Sequence, residues 1–306
     1  MLESAIKVNQ LFKRFGEFNA LNGLSFEVYK GDIFGFLGPN GAGKSTTIRI
    51  LASLIKADRG DVFLFGKNLN LQSKNIRNNI GFLIERPDFY NYLSAKTNLE
   101  ILQQTGGLAK DTRKIEELLD WVGLKGREKD KVGTFSQGMK QRLGLAQTLL
   151  HNPGILVLDE PSNGLDPQGI KDMRNLIISL NKDQNKTIFL SSHLLWEIEL
   201  MANRMVIIKD GKHVIEGNVS ELVSTHVAKV EIETNETERL NLFLKQNNIS
   251  FSVSVERPQL FQLSYAATGV PDLIKQINAA NISIYSIKPL KALEDYFLSK
   301  TDVHVN

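Results

Sequence analysis

Gly38-Pro39-Asn40-Gly41-Ala42-Gly43-Lys44-Ser45-Thr46 follows the apolar run Asp32-Ile33-Phe34-Gly35-Phe36-Leu37 and precedes a helical pattern through Ile48, Leu51, Leu54 and Ile55. The stretch fits the template G-x-x-x-x-G-K-[ST], and a strand before and a helix after are the context that template requires. Glycines let successive backbone N–H groups curl around phosphates, and the helix N-terminus adds positive potential. In this reading residues 38–46 cradle a nucleotide, Lys44 reaches its β- and γ-phosphates, and the Ser45 hydroxyl ligates Mg²⁺. A glycine-rich turn with no ligand is the competing reading, and the complete template in its proper context argues against it.

Further along, Ile155-Leu156-Val157-Leu158 runs straight into Asp159-Glu160. A buried strand ending in Asp beside a phosphate loop holds Mg²⁺ in ATPases of this kind. Glu160, one residue on, points elsewhere and is placed to polarise an attacking water as general base. From 155 to 209 strand-like and helix-like stretches alternate: 155–158, 167–182, 187–191, 194–203 and 205–209. That alternation predicts an α/β domain with a mostly parallel sheet flanked by helices. Near the start, Ile6–Gln10 and Leu24–Val28 read as strands bracketing a turn-rich middle, and Gly60-Asp61 and Gly66-Lys67 punctuate two more. Residues 94–150 read as helical, with Leu99, Leu102, Leu118, Leu119 and Val122 at helical spacing.

The style changes after about residue 225. Lys229-Val230-Glu231-Ile232-Glu233 alternates with period two. Helix-like 237–247, strand-like 250–255 and 259–265, helix-like 271–280 and strand-like 282–288 follow. The order β-α-β-β-α-β is the split pattern of a small ferredoxin-like α+β module. A helix-like piece at 293–297 comes last. The expected division is 1–224 and 225–306, with a helical subdomain at about 86–150.

Composition excludes several classes. Without cysteine there is no disulfide scaffold, thiol nucleophile or thiolate-held metal. The charge of +3, from 37 Lys and Arg against 34 Asp and Glu, is too weak to argue for nucleic acid as a partner. A spanning helix needs ~20 mostly apolar residues in a row, and no stretch approaches that length. Met1-Leu2-Glu3-Ser4-Ala5 has neither a basic region nor an apolar core, so no signal peptide is expected. The chain is expected to be soluble, which leaves open a peripheral place in a membrane complex. A GTPase is disfavoured too, because Asn181-Lys182-Asp183-Gln184 has Gln where a guanine reader needs Asp.

Phe135-Ser136-Gln137-Gly138-Met139-Lys140-Gln141-Arg142 resembles the signature motif of ATP-binding cassette (ABC) proteins, usually Leu-Ser-Gly-Gly-Gln. Asp159-Glu160-Pro161-Ser162-Asn163-Gly164-Leu165-Asp166-Pro167 and Ser191-Ser192-His193 follow in the family order. The resemblance covers residues 6 to about 220, and the whole chain looks most like the ATPase subunits of bacitracin-type drug and antibiotic-resistance exporters. It implies the phosphate-loop cassette fold, with an antiparallel β edge and a helical subdomain, and ATP and Mg²⁺ as ligands. By resemblance His193 contacts the γ-phosphate and holds the water with Glu160. Phe15 matches the aromatic that stacks on adenine, usually Tyr. Glu85 stands where the family has a Gln that touches Mg²⁺. Its added charge is offset by Arg86 in this reading. The signature departs at Phe135, Gln137 and Met139 but keeps Ser136 and Gly138, which open a helix as an anion-binding end. Nothing in the chain forces that end onto its own phosphate loop. The resemblance implies that it closes over the nucleotide of a second ATP-binding subunit, a homodimer, with Asp166 on the loop that crosses between subunits.

The chain thus reads as a motor without a pore. The resemblance implies an integral-membrane permease as a separate chain, and a place on the cytoplasmic face of the membrane. Phe89, Tyr90, Tyr92 and Leu93 are the candidate aromatic and apolar anchors for that permease, the alternative being a small core under the helical subdomain. A non-transport cassette of translation or DNA repair is the other reading. Such members usually carry two cassettes in one chain or long coiled coils, and neither pattern is present. A ligand-sensing role for the C-terminal module has no polar constellation to support it.

Overall fold

The structure is a computed structural model that describes residues 3–69, 79–85, 87–225, 229–254, 257–265 and 269–290. It divides into two compact units, 1–217 and 218–306. The sequence places that division at 224/225.

Among the described residues the first unit holds two sheets. Strands β1 (Ser4–Phe15), β2 (Phe18–Tyr29), β4 (Arg59–Leu64) and β5 (Lys67–Asn68) form an antiparallel sheet in the order β2-β1-β4-β5. The turn-rich middle expected between Ile6–Gln10 and Leu24–Val28 is strand apart from one two-residue turn, Gly16-Glu17. The β1/β2 register shifts between Val8 and Leu11, between Leu11 and Phe12, and between Lys13 and Arg14, and Gln10 is left-handed at φ 45°. Each bulge reverses the inside–outside alternation, so period two is lost from the sequence although the pairing persists.

The second sheet takes β3 (Ile33–Leu37), β6 (Ile80–Leu83), β7 (Ile155–Asp159), β8 (Thr187–Ser192), β9 (Arg204–Lys209) and β10 (Lys212–Asn218) in the order β10-β9-β3-β8-β7-β6. Every residue of β3, β7 and β8 is buried, as expected for central parallel strands covered on both faces. The pairs from β9 through β6 are parallel. β10 returns along β9 after Asp210-Gly211, both left-handed, the signature of a two-residue hairpin. The crossovers are helical: α1 (Lys44–Leu51) after β3, α5 (Pro167–Gln184) after β7 and α6 (Leu195–Met201) after β8. Phe26 of the first sheet stacks among Phe34, Phe36 and Phe189 of the second, at ring separations of 5.2–5.9 Å, so one core serves both sheets.

Between β6 and β7 lie α2 (Ala95–Thr105), α3 (Thr112–Trp121), a 3₁₀ turn (Val132–Thr134) and α4 (Gln137–Thr148). Their starts are chemically marked, with Ser94, Asp111 and Ser136 accepting from the N–H three residues on.

In the second unit α7 (Val219–Thr225) leads into β11 (Lys229–Glu233), α8 (Thr237–Gln246), β12 (Phe251–Val253), β13 (Leu260–Ser264), α9 (Val270–Ala279) and β14 (Ser286–Leu290). The sheet is antiparallel throughout, in the order β12-β13-β11-β14. Val230, Ile232, Leu240, Leu244, Phe261, Leu263, Leu273 and Ile277 form its core. The last strand lies later than the expected 282–288, because Ile282 is buried in that core before pairing begins. The helix expected at 293–297 lies outside the described residues. Among the described residues no helix is long and apolar enough to cross a membrane.

Candidate active site

Sheet register assembles the site. Leu37 at the end of β3 pairs with Ser192 of β8, Ser191 pairs with Asp159 of β7, and Leu158 pairs with Leu83 of β6. The phosphate loop, Asp159-Glu160, Ser191-Ser192-His193 and Glu85 therefore all leave the same carboxyl edge of the parallel sheet, where ligands of open α/β sheets bind.

The loop is held close to its surroundings. A Cβ on Gly38 would meet Ile208 O at 2.6 Å, and one on Gly43 would meet Ala20 O at 2.7 Å. Gly43 also has φ 104°, a conformation reserved for glycine, and Gly41 is left-handed at φ 82°. Both glycines are thereby free to turn their N–H groups inward. Asn40, Gly41 and Ser45 are exposed, whereas Lys44 is 5% exposed. Lys44 Nζ donates to Gly38 O at 2.8 Å and Pro39 O at 3.3 Å and lies 3.4 Å from Glu160 Oε1. A buried ammonium at the mouth of a loop of backbone donors suits a triphosphate.

The carboxylates are ordered by Ser191, which is fully buried. Its Oγ donates to Asp159 Oδ1 at 2.5 Å and accepts from Glu160 N at 3.0 Å. Burial pushes the Asp159 pKa up; Ser191 opposes this, the neighbouring Glu160 charge adds to it, and Ser45 and Lys44 oppose it. Ser45, Asp159 and Glu85 present hard oxygens, the donor type that a small divalent cation takes. All three line one cleft of about 460 Å³ together with Gln137, Gln141, Glu160 and Asn163. Glu160 is left-handed at φ 45°, a conformation that costs of order 1–3 kcal/mol and persists only where the surroundings impose it. Its Oε2 meets His193 Nδ1 at 3.2 Å and accepts from Asn163 Nδ2 at 3.3 Å.

Other predicted residues stand apart from this cleft. Ser136 caps α4 through Met139 N at 3.3 Å, and neither it nor Gly138 lines the cleft, which takes Gln137 and Gln141 from that helix instead. Asp166 caps α5 through Gly169 N at 2.9 Å. Phe15 is 48% exposed at the end of β1 with Lys13 Nζ 5.4 Å from its ring centre, so it is not a core residue. Glu85 pairs with Arg49 of α1, and Arg86 lies outside the described residues. Helix α1 carries Arg49 toward Glu85, a pairing that sequence distance hides. Phe89 is buried, whereas Tyr90 and Tyr92 are exposed and stand edge to face, 6.0 Å between centres. Ser191, Gln137, Gln141 and Asn163 escaped the sequence reading. The paired serines before His193 were the available signal for Ser191.

Residues 21–163 match the family described as ABC transporter. Over 299 residues the chain is 40% identical to the bacitracin transport ATP-binding protein BcrA of Bacillus licheniformis, covering 97% of each chain. The chain belongs to the ABC transporter ATP-binding family. This cassette is also 40% identical over 211 residues to the lantibiotic transport ATP-binding protein SrtF of Streptococcus pyogenes, across 69% of this chain and 90% of that one. Among solved structures, the dimeric post-hydrolysis state of the ATP-binding cassette MJ0796, bound to ADP and Pi, is similar with a TM-score of 0.63 at 26% identity, over 70% of this chain and 98% of that one. The ABC cassette fold, ATP as ligand and ATPase activity are thereby established for this chain, and the reading as a translation or repair cassette is set aside.

Proposed function

We propose that this ATPase is the motor of an exporter of the peptide-antibiotic or drug type, working at the cytoplasmic face of the membrane through a separate membrane-spanning subunit. End-to-end similarity to the bacitracin transport ATP-binding protein carries the cargo class.

In the catalytic reading, residues 38–46 receive the phosphates and Lys44 exchanges Gly38 O and Pro39 O for phosphate oxygens. Ser45, Asp159 and Glu85 would hold Mg²⁺, which supplies charge neutralisation at the β- and γ-phosphates when bound. Glu160 takes a proton from the attacking water, and His193 keeps the Glu160 carboxylate oriented and contacts the γ-phosphate. Asn163 shares the same Oε2 and limits its rotation. Phe15 offers an open ring face to the base, and stacking needs no more than that. Ser136, Gly138 and Asp166 stand off the cleft, as residues serving the nucleotide of a second subunit would. A symmetric homodimer satisfies both sites with one interface. Loss of the γ-phosphate contacts on hydrolysis then reopens it. Tyr90 and Tyr92, rather than Phe89, are left as the exposed anchors for the permease.

Co-expression of the cassette in a sensitive host with the membrane-spanning protein that copurifies with it tests this. Raised resistance to bacitracin-type peptides, abolished by Glu160→Gln, is expected. Unchanged sensitivity to such peptides with an active, membrane-bound complex would sink the cargo assignment.

A further inference from the structure

We propose that Glu197 is a positioning residue for ATP hydrolysis: its buried carboxylate holds Ser192, and through Ser192 the turn that carries His193 to Glu160. The inference rests on the reading that His193 serves hydrolysis.

Glu197 sits in the first turn of α6 and is only 6% exposed. Its Oε2 accepts from Ser192 Oγ at 2.9 Å, and the same hydroxyl accepts from Leu194 N at 3.0 Å. Leu194 O is a second acceptor for that hydroxyl at 3.3 Å. One hydroxyl proton cannot serve both, and the shorter bond to a carboxylate is the stronger. The bonds at Ser192 and Leu194 bracket His193 on either side in sequence. The His193 ring is thus delivered from a turn whose two flanks close on one oxygen, which Glu197 fixes.

An ordinary glutamate in a first helical turn lies in solvent and faces amide N–H groups. Glu197 is buried, and among the described residues no Lys or Arg pairs with it. Burial raises its pKa; Ser192 opposes this most strongly, then the charge of His193. Ser162, two residues beyond Glu160, is buried, and its hydroxyl also holds down the pKa of this carboxylate. Glu197 therefore lies at the carboxyl end of β8, within electrostatic reach of both His193 and Glu160.

Steady-state ATPase kinetics on the purified full-length protein test this. Ser192→Ala and Glu197→Ala should each lower kcat roughly tenfold, the worth of one charge-assisted hydrogen bond, with KM for ATP within about twofold. Ser192→Thr, which keeps the hydroxyl, should restore kcat to within about threefold of the parent. The double variant should be no slower than the slower single one, because both changes break one link. Multiplying losses, a normal kcat in Ser192→Ala, or a KM effect alone would overturn the inference. If Glu197→Ala does not fold, the contrast between Ser192→Ala and Ser192→Thr decides alone. Full turnover by His193→Ala would overturn the catalytic reading itself. A slow His193→Ala beside a normal Ser192→Ala would overturn only the role of Glu197.

Discussion

Glu160 makes its case through its neighbours. One carboxylate oxygen faces Lys44 and the other is shared by His193 and Asn163, on a backbone bent into the left-handed region. Glu160→Gln keeps the size and removes the carboxylate proposed as the base. Hydrolysis should fall by about 10²–10⁴-fold, the usual worth of a general base. ATP should still bind, and size-exclusion chromatography should show an ATP-locked dimer. Ser191 is the less obvious residue, because it orients Asp159 and pins Glu160 N with one hydroxyl. Ser191→Ala should cost roughly tenfold in kcat and raise the Mg²⁺ concentration needed for half-maximal ATPase, read from a Mg²⁺ titration. Lys44, Ser45, Asp159 and Glu160 were legible in the sequence because spacing along one chain defines them. Ser191 was not, since its role exists only where Asp159 lies beside it in the register of β7 and β8.

At the scale of elements, the phosphate loop shows why the template needs glycine at Gly43. The position combines φ 104° with the nearby Ala20 O of β2. Gly43→Ala should cost about 1–3 kcal/mol in stability and abolish nucleotide binding, measured by thermal melts and by titration with a fluorescent ATP analogue. Wild-type affinity in a folded Gly43→Ala protein would show that the loop does not need this close approach. The contact also explains why β1 and β2 matter to the site although they carry none of its charges: the hairpin is the wall against which the loop is moulded. Its strands were half-legible in the sequence, because bulges scramble alternation while leaving the ladder bonded. The central strands were easier. Buried on both faces, they appear as unbroken apolar runs that need no register to be recognised.

Across the whole first unit, the two sheets are tied by Arg204 of β9. Its guanidinium donates to Asp32 Oδ2 at 3.0 Å, Glu216 Oε1 at 2.8 Å and Glu27 O at 2.9 Å, and it lies 4.6 Å from the Tyr29 ring centre. Arg204→Leu leaves two part-buried carboxylates without their cation and should cost about 3–5 kcal/mol. Burial already raises the Glu216 pKa, with the Arg204 charge the main opposing influence. An acid with a raised folded pKa loses folding stability as pH climbs past its ordinary value. The variant's deficit should therefore be larger at pH 8 than at pH 5 in urea melts, and an equal deficit at both would show that Glu216 stays compensated. By itself the sequence determined the phosphate loop, the strand-end Asp159-Glu160, the order of the family motifs and the split β-α-β-β-α-β order after residue 225, because each is written in local spacing and local periodicity. Only the tertiary structure decided which of those residues share a cleft, that Glu85 answers to Arg49, that Phe89 is core while Tyr90 and Tyr92 are surface, and that Ser191 bonds Asp159 while Glu197 bonds Ser192. Such facts depend on strand register and on the approach of distant helices, and these are fixed by the summed packing of the chain rather than by any one segment of it.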